Sequence, residues 1–243
     1  MLRFFRQLRQ RLLTENKFRK YLLYAIGEIL LVVIGILIAL QINNANEYSK
    51  QKQQLLKYEQ NIVSELKEDL KMLNGLDSLN SAKVGTILSY INYFKNPTRD
   101  ADTVIQRMYD IQYNGGVYKS IAYTIDEIIN TGNLSLFSSE AKTAILELKA
   151  IQEFYEKNRI EVEQKWVLSN IEFENAIDLV SYNEFPTAEL RNMKDWRFDL
   201  GSDQYRLFNN KTLAELRVFY FRTDQNNKMR THSEKLLNLL EKN

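Results

Sequence analysis

One uninterrupted apolar stretch near the N-terminus constrains this chain more than any other feature. Residues 21–42 read YLLYAIGEILLVVIGILIALQI and contain a single ionisable side chain, that of Glu28. A helix of this length extends roughly 33 Å, which is enough to cross the hydrocarbon core of a bilayer. The polar stretch that begins at Asn43 ends the run abruptly. The pattern predicts a transmembrane helix over residues 21–42.

A cleaved secretory signal peptide is the alternative interpretation of an N-terminal apolar run. Here the run is long, and a polar and basic segment, residues 1–20, precedes it. The stretch that follows, residues 39–45, lacks a clean pair of small residues at the cleavage spacing. These features favour an uncleaved anchor.

Basic residues are concentrated on one side of the predicted span. Residues 1–20 contain a single acidic residue, Glu15, against seven basic ones: Arg3, Arg6, Arg9, Arg11, Lys17, Arg19 and Lys20. Only Lys50, Lys52 and Lys57 follow the span closely. Because basic flanks stay in the cytoplasm, we expect a cytoplasmic N-terminus in an inner membrane. The domain of residues 43–243 is then periplasmic in a Gram-negative cell.

The basic segment, residues 1–20, has a pattern of its own. Phe5, Leu8 and Leu12 share one helical face, and arginines fill most of the rest. This suits a short helix lying in the lipid headgroup layer, although an unordered basic flank fits equally. The body beyond the span holds 26 basic and 29 acidic residues. Since the basic residues precede a membrane span, we expect lipid and not nucleic acid as their partner.

Composition restricts both fold and chemistry. The chain has 8 Gly and 2 Pro, too few for the many turns of an all-β fold. It has no Cys and one His, which removes thiolate metal sites, cysteine nucleophiles and histidine triads. We therefore predict an all-α protein that is not an enzyme, with no catalytic, cofactor-binding or metal-binding residues.

Helical periodicity organises the domain of residues 43–243. We predict helices over residues 46–74, 81–93, 100–111 and 120–130, then long helices over 139–182 and 203–242. The 139–182 helix carries two heptad rows: Ile145, Gln152, Arg159, Trp166, Phe173 and Val180 in one, and Leu148, Tyr155, Val162, Ser169 and Ala176 in the other. Polar residues interrupt these rows, which favours an antiparallel bundle of three or four helices over an isolated coiled coil.

Two segments resemble a family of single-pass membrane proteins from Bacteroidota. They are FFRQLRQRLL (4–13) followed by KYLLYAIGEILLVVIGILIALQINNANE (20–47), and SIAYTIDEIINTGNLSLFSS (120–139). The family usually has Trp where this chain has Ala45. The resemblance implies an inner-membrane protein with a periplasmic helical domain. The family has no assigned function, so no catalytic residue is implied.

Glu28 is the most informative single residue, because a charge inside a membrane helix costs on the order of 2–3 kcal/mol. Tyr21, Val32, Gly35 and Ala39 share its face, and the last two form a small-xxx-small pair. We call these five residues the membrane association face. It predicts self-association into a homo-oligomer. A proton-coupling role and a merely tolerated, snorkelling carboxyl group are the alternatives.

Two functions fit the residue pattern. The first is a membrane-anchored helical scaffold that binds an envelope protein. The second is a sensor-like bundle that binds a small ligand or envelope component, with residues 97–138 facing the ligand. A polar cavity between the long helices favours the sensor, and a continuous apolar core with an exposed apolar patch favours the scaffold. The carboxylate pairs, such as Glu172 with Glu174, and His232 are expected to be solvated.

Overall fold

The structure of the protein is a computed structural model that describes residues 18–111, 116–186 and 195–242, with side chains from residue 22 onward. Every regular element in these ranges is a helix, so the predicted all-α class is confirmed. Two compact units make up the chain, Met1–Lys57 and Tyr58–Asn243.

Helix α1 runs from Phe18 to Phe94. Its apolar stretch lies in the first unit, where an 18-residue window has a mean hydropathy of 2.7 and none of it is buried. In a globular protein, neighbouring elements would bury the apolar side chains of a core helix. The N-terminal helix is therefore long and apolar enough to span a membrane, and the described chain does not bury it.

The interruption predicted between residues 74 and 81 is wrong, because α1 continues through it. Gly75 lies inside the helix, and its neighbours Leu73 and Leu76 are buried. Asp77 accepts hydrogen bonds from Asn226 at 2.8 Å and from a second residue of the last helix at 2.6 Å. This packing offsets the low helix propensity of glycine, which is about 1 kcal/mol.

Two short helices follow, α2 (Ala101–Asp110) and α3 (Tyr123–Thr131). Residue type and spacing predict an N-cap for α2 at Asp100 or Asp102. The structure places it at Asp100, whose carboxylate accepts from the backbone N–H of Thr103 at 2.8 Å. The sequence also places Gly132 where a C′ glycine would end α3, and its left-handed φ of 75° confirms this. A 3₁₀ turn, Asn133–Leu136, comes next. The predicted start of α3 at residue 120 is wrong, because buried Asp69 accepts the N–H of Ile121 and holds that segment outside the helix.

The long helices of the C-terminal half are α4 (Ser139–Glu174) and α6 (Asp203–Leu240). Between them lie α5 (Leu179–Tyr182) and a 3₁₀ turn, Trp196–Phe198. The predicted continuation of α4 to residue 182 is wrong. The chain turns after Glu174, and Asp178 starts α5 by accepting the N–H of Val180 at 3.0 Å. Val180 and Ala176 therefore lie outside the heptad rows assigned to this helix.

Helices α1, α4 and α6 form an antiparallel bundle in the second unit. Helix α6 runs opposite to both other helices, and α2, residues 116–122 and α3 provide the return path from α1 to α4. The pairs that establish the directions are Lys67–Glu241, Lys83–Glu215 and Tyr90–Asn209 for α1 with α6, and Glu147–Lys235 and Asn170–Lys211 for α4 with α6. The second element of this up-down-up-down arrangement is thus two short helices and not one long one.

An aromatic cluster closes one end of the bundle. Phe173, Tyr205 and Phe208 are buried together there, with partly buried Tyr182 and Trp196 against them. Their rings meet mostly edge to face, at centroid distances such as 5.3 Å between Phe173 and Phe208. Such contacts add about 0.5–1.5 kcal/mol per pair beyond area burial, and they hold the α4–α6 connection against the bundle.

Arg197 fixes that connection from within. Its side chain is 1% exposed and forms an ion pair with Asp195 at 2.7 Å. The guanidinium also donates to the Tyr109 hydroxyl and to the carbonyls of Ser181 and Glu184, at 2.8, 3.1 and 2.8 Å. One buried cation thereby joins α2, α5 and the 3₁₀ turn.

Helix α3 is capped from a distance, by Glu65 of α1. The residue before α3 is Ala122, which supplies no side-chain cap. Both Glu65 carboxylate oxygens accept the N–H of Thr124 at 3.1 Å, and one accepts its hydroxyl at 2.6 Å. We expect Glu65→Ala to lower the free energy of unfolding by about 1–2 kcal/mol, as loss of an N-cap does. Urea unfolding followed by circular dichroism measures this.

The matched control for that variant is Glu68→Ala, which removes an exposed glutamate one turn further along the same helix. It should change the free energy of unfolding by less than about 0.5 kcal/mol. Equal losses from both variants would contradict the capping role of Glu65.

A buried polar cavity as the candidate functional site

Polar side chains occupy much of the buried face of α6. They recur at helical spacing among its apolar residues: Thr212, Glu215, Arg222, Gln225, Asn226 and Ser233. Burying a polar group costs free energy unless it is hydrogen-bonded. Yet the Thr212 and Ser233 hydroxyls have no partner among the residues that the structure describes. Departures of this kind from an apolar core are expected at functional sites.

The most buried ion pair between helices joins α1 to α6 within this polar face. Lys83 Nζ lies 3.0 Å from Glu215 Oε1, and the two side chains are 3% and 8% exposed. A buried ion pair is rarely more stabilising than two packed apolar residues, because both charges lose their hydration. Stability alone therefore does not account for this pair.

A cavity of about 280 Å³ opens beside the ion pair, between α1, α4 and α6. The residues with polar groups in its lining are Lys83 from α1, Trp166, Asn170 and Glu174 from α4, Tyr182 from α5, and Lys211 and Glu215 from α6. The α4 residues stand four apart and so share one face, as do the two α6 residues. Apolar side chains, Met108 and Phe208 among them, complete the wall. The site thus combines two cations, two anions, an amide, an indole and a phenol.

Lys211 lies over two aromatic rings, one of which, Phe208, lines the cavity. Its ammonium group lies 4.8 Å from the centroid of the Phe173 ring and 5.2 Å from that of Phe208, where cation–π attraction stabilises it. It donates one hydrogen bond, of 3.2 Å, to Asn170 Oδ1. Burial lowers the pKa of Lys211, and the nearby carboxylates of Glu215 and Glu174 oppose that shift. The cavity therefore contains a desolvated ammonium group.

A larger cleft, of about 530 Å³, lies between residues 118–126 and α4. Its charged groups are more exposed, and Lys149 already pairs with Asp126 at 2.7 Å and with Glu153 at 3.8 Å. Solvated and paired charges gain little from a ligand. This cleft is the weaker candidate, although it draws on the region, residues 97–138, that the sequence assigns to ligand contact. That region contributes only Met108 and Ile111 to the polar cavity.

The two polar residues that interrupt the heptad seam have partners. Gln152 donates to the Ser120 hydroxyl at 2.6 Å. Arg159 forms ion pairs with Glu156 and Glu163, and Glu163 in turn accepts from Arg222 of α6 at 2.8 Å. The seam thus binds α4 to its neighbours partly through hydrogen bonds.

The membrane association face lies in the first unit. Val32, Gly35 and Ala39 are exposed in α1, and Glu28 is half-buried. A Cβ atom added at Gly35 would meet no described atom within 4 Å. The Tyr21 side chain lies outside the described residues, as do the side chains of the basic segment, Arg3, Arg6, Arg9, Arg11, Lys17, Arg19 and Lys20.

The other titratable residues considered from the sequence have mixed surroundings. Glu172 is exposed, as expected, and its neighbour Glu174 is half-buried and lines the cavity. His232 is half-buried, with Nδ1 3.9 Å from Glu147. Within the described ranges, no group of three or more potential metal ligands comes together.

Sequence reasoning missed Lys83, Lys211 and Glu215. For two of them, Lys83 and Glu215, the sequence pattern contained an indication. Lys83 precedes Ile87 and Tyr90 at helical spacing, and those two residues are buried. Glu215 stands between Phe208 and Phe219 in the same way. A charged residue in the apolar row of a long helix indicates a buried polar site.

These features define an all-helical protein with one membrane-length N-terminal helix and a second unit that encloses a polar cavity. Its sequence matches a family described as a family of unknown function (DUF6090) over residues 28–150, half of the chain, and the protein belongs to that family. Comparison with curated proteins and with solved structures gives no match. Of the four charged residues in the cavity, Lys83 alone lies within the matched range.

Proposed function

We propose that this protein is a membrane-anchored, sensor-like receptor whose helical bundle binds a small polar ligand. The observation that carries this proposal is the cavity between the three long helices, with its buried charged groups. Binding sites in helical bundles are built in this way, from side chains on facing helices. The proposal includes no catalytic turnover.

The sequence suggests a scaffold first and a sensor-like bundle second, and the cavity favours the sensor-like bundle. Periodicity alone favours a scaffold, because it predicts an ordinary apolar core. The buried face of α6 is instead partly polar, and its charges line a partly open cavity large enough for a small molecule. A ligand that supplies hydrogen bonds there would offset the desolvation of these groups.

Thermal unfolding of the full chain in detergent micelles tests the proposal. A panel of small charged metabolites would be added singly, with unfolding followed by circular dichroism. A ligand present at about 100-fold its Kd should raise Tm by about 5–10 °C for a domain of this size. The matched control is the double variant Lys211→Met/Glu174→Gln, at two charged residues that line the cavity, and its Tm should not respond. A panel without any effect on Tm would contradict the proposal.

An exposed apolar face on α4 supports a second candidate, the scaffold that binds an envelope protein. Ile160, Val167 and Ile171 are spaced to share one side of the helix, and all three are exposed, Ile160 by 63%. Leu168 lies beside them. Crosslinking in intact cells from position 167, followed by identification of captured proteins, tests this function. Capture that disappears with Val167→Asp would favour the scaffold.

We further propose that residues 21–42 anchor the protein in the inner membrane of a Gram-negative bacterium of the Bacteroidota, with residues 43–243 in the periplasm. The apolar and exposed N-terminal part of α1 supports the anchor. The excess of basic residues before the span supports the orientation. The similarity of residues 4–47 to Bacteroidota membrane proteins supports the source.

The orientation can be tested by cysteine labelling, because the native chain contains no cysteine. We expect Ser78→Cys, at an exposed position of α1, to react with a membrane-impermeant maleimide once the outer membrane is permeabilised. Thr14→Cys should react only after cell lysis. The reverse labelling pattern would refute the orientation.

The membrane association face predicts self-association of the span. Gly35→Leu should weaken it by blocking close approach of two helices. Glu28→Leu should remove an interhelical hydrogen bond, at a loss of roughly 0.5–2 kcal/mol, while insertion becomes easier. An in-membrane dimerisation assay of residues 1–47 measures both effects.

Gly27→Leu is the matched control for that assay. Gly27 lies on an adjacent face of the helix, and a Cβ atom at either glycine meets no described atom within 4 Å. The same substitution there should leave self-association unchanged. If the Gly35 and Glu28 variants associate as well as the native span, the span is only an anchor and Glu28 is a tolerated residue.

A further inference from the structure

A cation and an anion face the polar cavity on either side of one amide group. Lys211 Nζ donates to Asn170 Oδ1 at 3.2 Å, and Asn170 Nδ2 donates to Glu174 Oε1 at 2.5 Å. Among the residues that the structure describes, no direct ion pair joins Lys211 to Glu174. The two opposite charges are thus one amide apart, and both lie on the cavity wall.

Neither of these charges is fully hydrogen-bonded by the residues that the structure describes. The Lys211 ammonium group has three donors, and Asn170 accepts one of them. It also lies over the faces of Phe173 and Phe208, which attract a cation but accept no conventional hydrogen bond. A carboxylate can accept several hydrogen bonds, and Glu174 is given one here, from Asn170.

The second pair of charges in the cavity is already neutralised. Lys83 and Glu215 lie in contact at 3.0 Å, so the charge left for a ligand is that of Lys211 and Glu174. A simple anion would be attracted by Lys211 but repelled by Glu174. A simple cation would be attracted by Glu174 but repelled by Lys211. A molecule with one group of each sign would satisfy both.

We propose that the cavity binds a small zwitterion that carries a carboxylate and an ammonium group, a free amino acid in its simplest form. This assignment rests on the proposed ligand-binding function and names its ligand class. The carboxylate would accept from Lys211, and the ammonium group would donate to Glu174. The volume of about 280 Å³ is at the low end of ligand sites, which restricts the ligand to a compact molecule.

Isothermal titration calorimetry of the full chain in detergent micelles tests this class. The probes are the twenty standard L-amino acids, with sodium acetate and methylammonium chloride as half-ligands. We expect at least one amino acid to bind, and each half-ligand to bind at least about tenfold more weakly, since each lacks one charge-assisted hydrogen bond. Acetate or methylammonium that binds as tightly would overturn the zwitterion assignment and leave the ligand-binding function standing. No binding by any amino acid would also overturn it, whereas the wider metabolite panel decides the ligand-binding function.

Two variants locate the binding groups, each with a matched control on the same helix. Lys211→Met and Glu174→Gln should each weaken amino-acid binding about tenfold to a hundredfold, the usual loss for a hydrogen bond to a charged group. The exposed residues Lys228 and Glu172 provide the controls, Lys228→Met and Glu172→Gln, which should bind as the native chain does. Circular dichroism verifies folding, and Glu174→Gln preserves side-chain shape if the lysine variant is unstable. Native affinity in a folded Glu174→Gln chain would overturn the proposal.

Discussion

Arg197→Met is expected to lower the free energy of unfolding by about 3–5 kcal/mol. The substitution removes a guanidinium that pairs with Asp195 through two hydrogen bonds, of 2.8 and 2.7 Å. It also leaves the carbonyls of Ser181 and Glu184 and the Tyr109 hydroxyl without this donor. Breaking a buried pair by removing one partner has an effect of this size. Urea unfolding of the full chain in micelles measures it.

The control for this variant is Arg206→Met. Arg206 pairs with Asp203 at 3.1 Å, but both side chains are largely exposed, and surface pairs contribute about 0–1 kcal/mol. Comparable losses from the two variants would show that burial of Arg197 is not what makes it stabilising.

The contribution of this pair should also depend on pH. The Arg197 guanidinium lowers the pKa of Asp195 below its ordinary value. Its stabilisation is therefore present above the unfolded pKa of about 4 and is lost as pH falls through the lower folded pKa. The difference in unfolding free energy between the native chain and Asp195→Asn should be largest near neutral pH and shrink in acid.

Glu215→Gln is the second substitution for which we expect a large effect, again a loss of about 3–5 kcal/mol. It removes the negative charge that lies 3.0 Å from the Lys83 ammonium group, whose side chain is 3% exposed. The double variant Lys83→Met/Glu215→Leu replaces both charges with apolar groups and should recover most of that loss, because neither residue then needs hydration.

A double-mutant cycle over Lys83 and Glu215 separates the effect of breaking the ion pair from the effect of packing defects. If the double variant is as unstable as Glu215→Gln, packing defects and not an unpaired charge explain the loss. If it is stable, the ion pair is unnecessary for folding.

The helical class and most helix boundaries could be predicted from the sequence, because they depend on local chemistry. Asp100, Gly132 and Ser138 act as caps where spacing and residue type predict them. The errors arose where distant residues decide the outcome. Gly75 continues α1 because α6 packs against its neighbours, and Ile121 stays outside α3 because Asp69 accepts its N–H.

From the sequence, a polar cavity between the helices could be anticipated only as the feature that would favour the second of two functions, the sensor-like bundle. Periodicity showed polar residues in the seam of α4. The structure gives Gln152 a partner outside the helix, Ser120, and gives Arg159 a partner within it, Glu163. What periodicity cannot supply is the relative register of α1, α4 and α6. That register brings Lys83 to Glu215, residues 132 positions apart in sequence, within 3.0 Å.

Fluorescence of Trp166 tests the central claim, that the cavity binds a ligand, most directly. The chain has two tryptophans, so Trp196→Phe leaves Trp166, a cavity-lining residue, as the sole reporter. We expect a saturable change in its emission on titration with a pool of L-amino acids other than tryptophan and tyrosine, short carboxylates and primary amines. The same change should vanish when Lys211→Met and Glu174→Gln are added. Emission that stays constant with every pool, or a change that persists in the variant without the two cavity charges, would contradict ligand binding in the cavity.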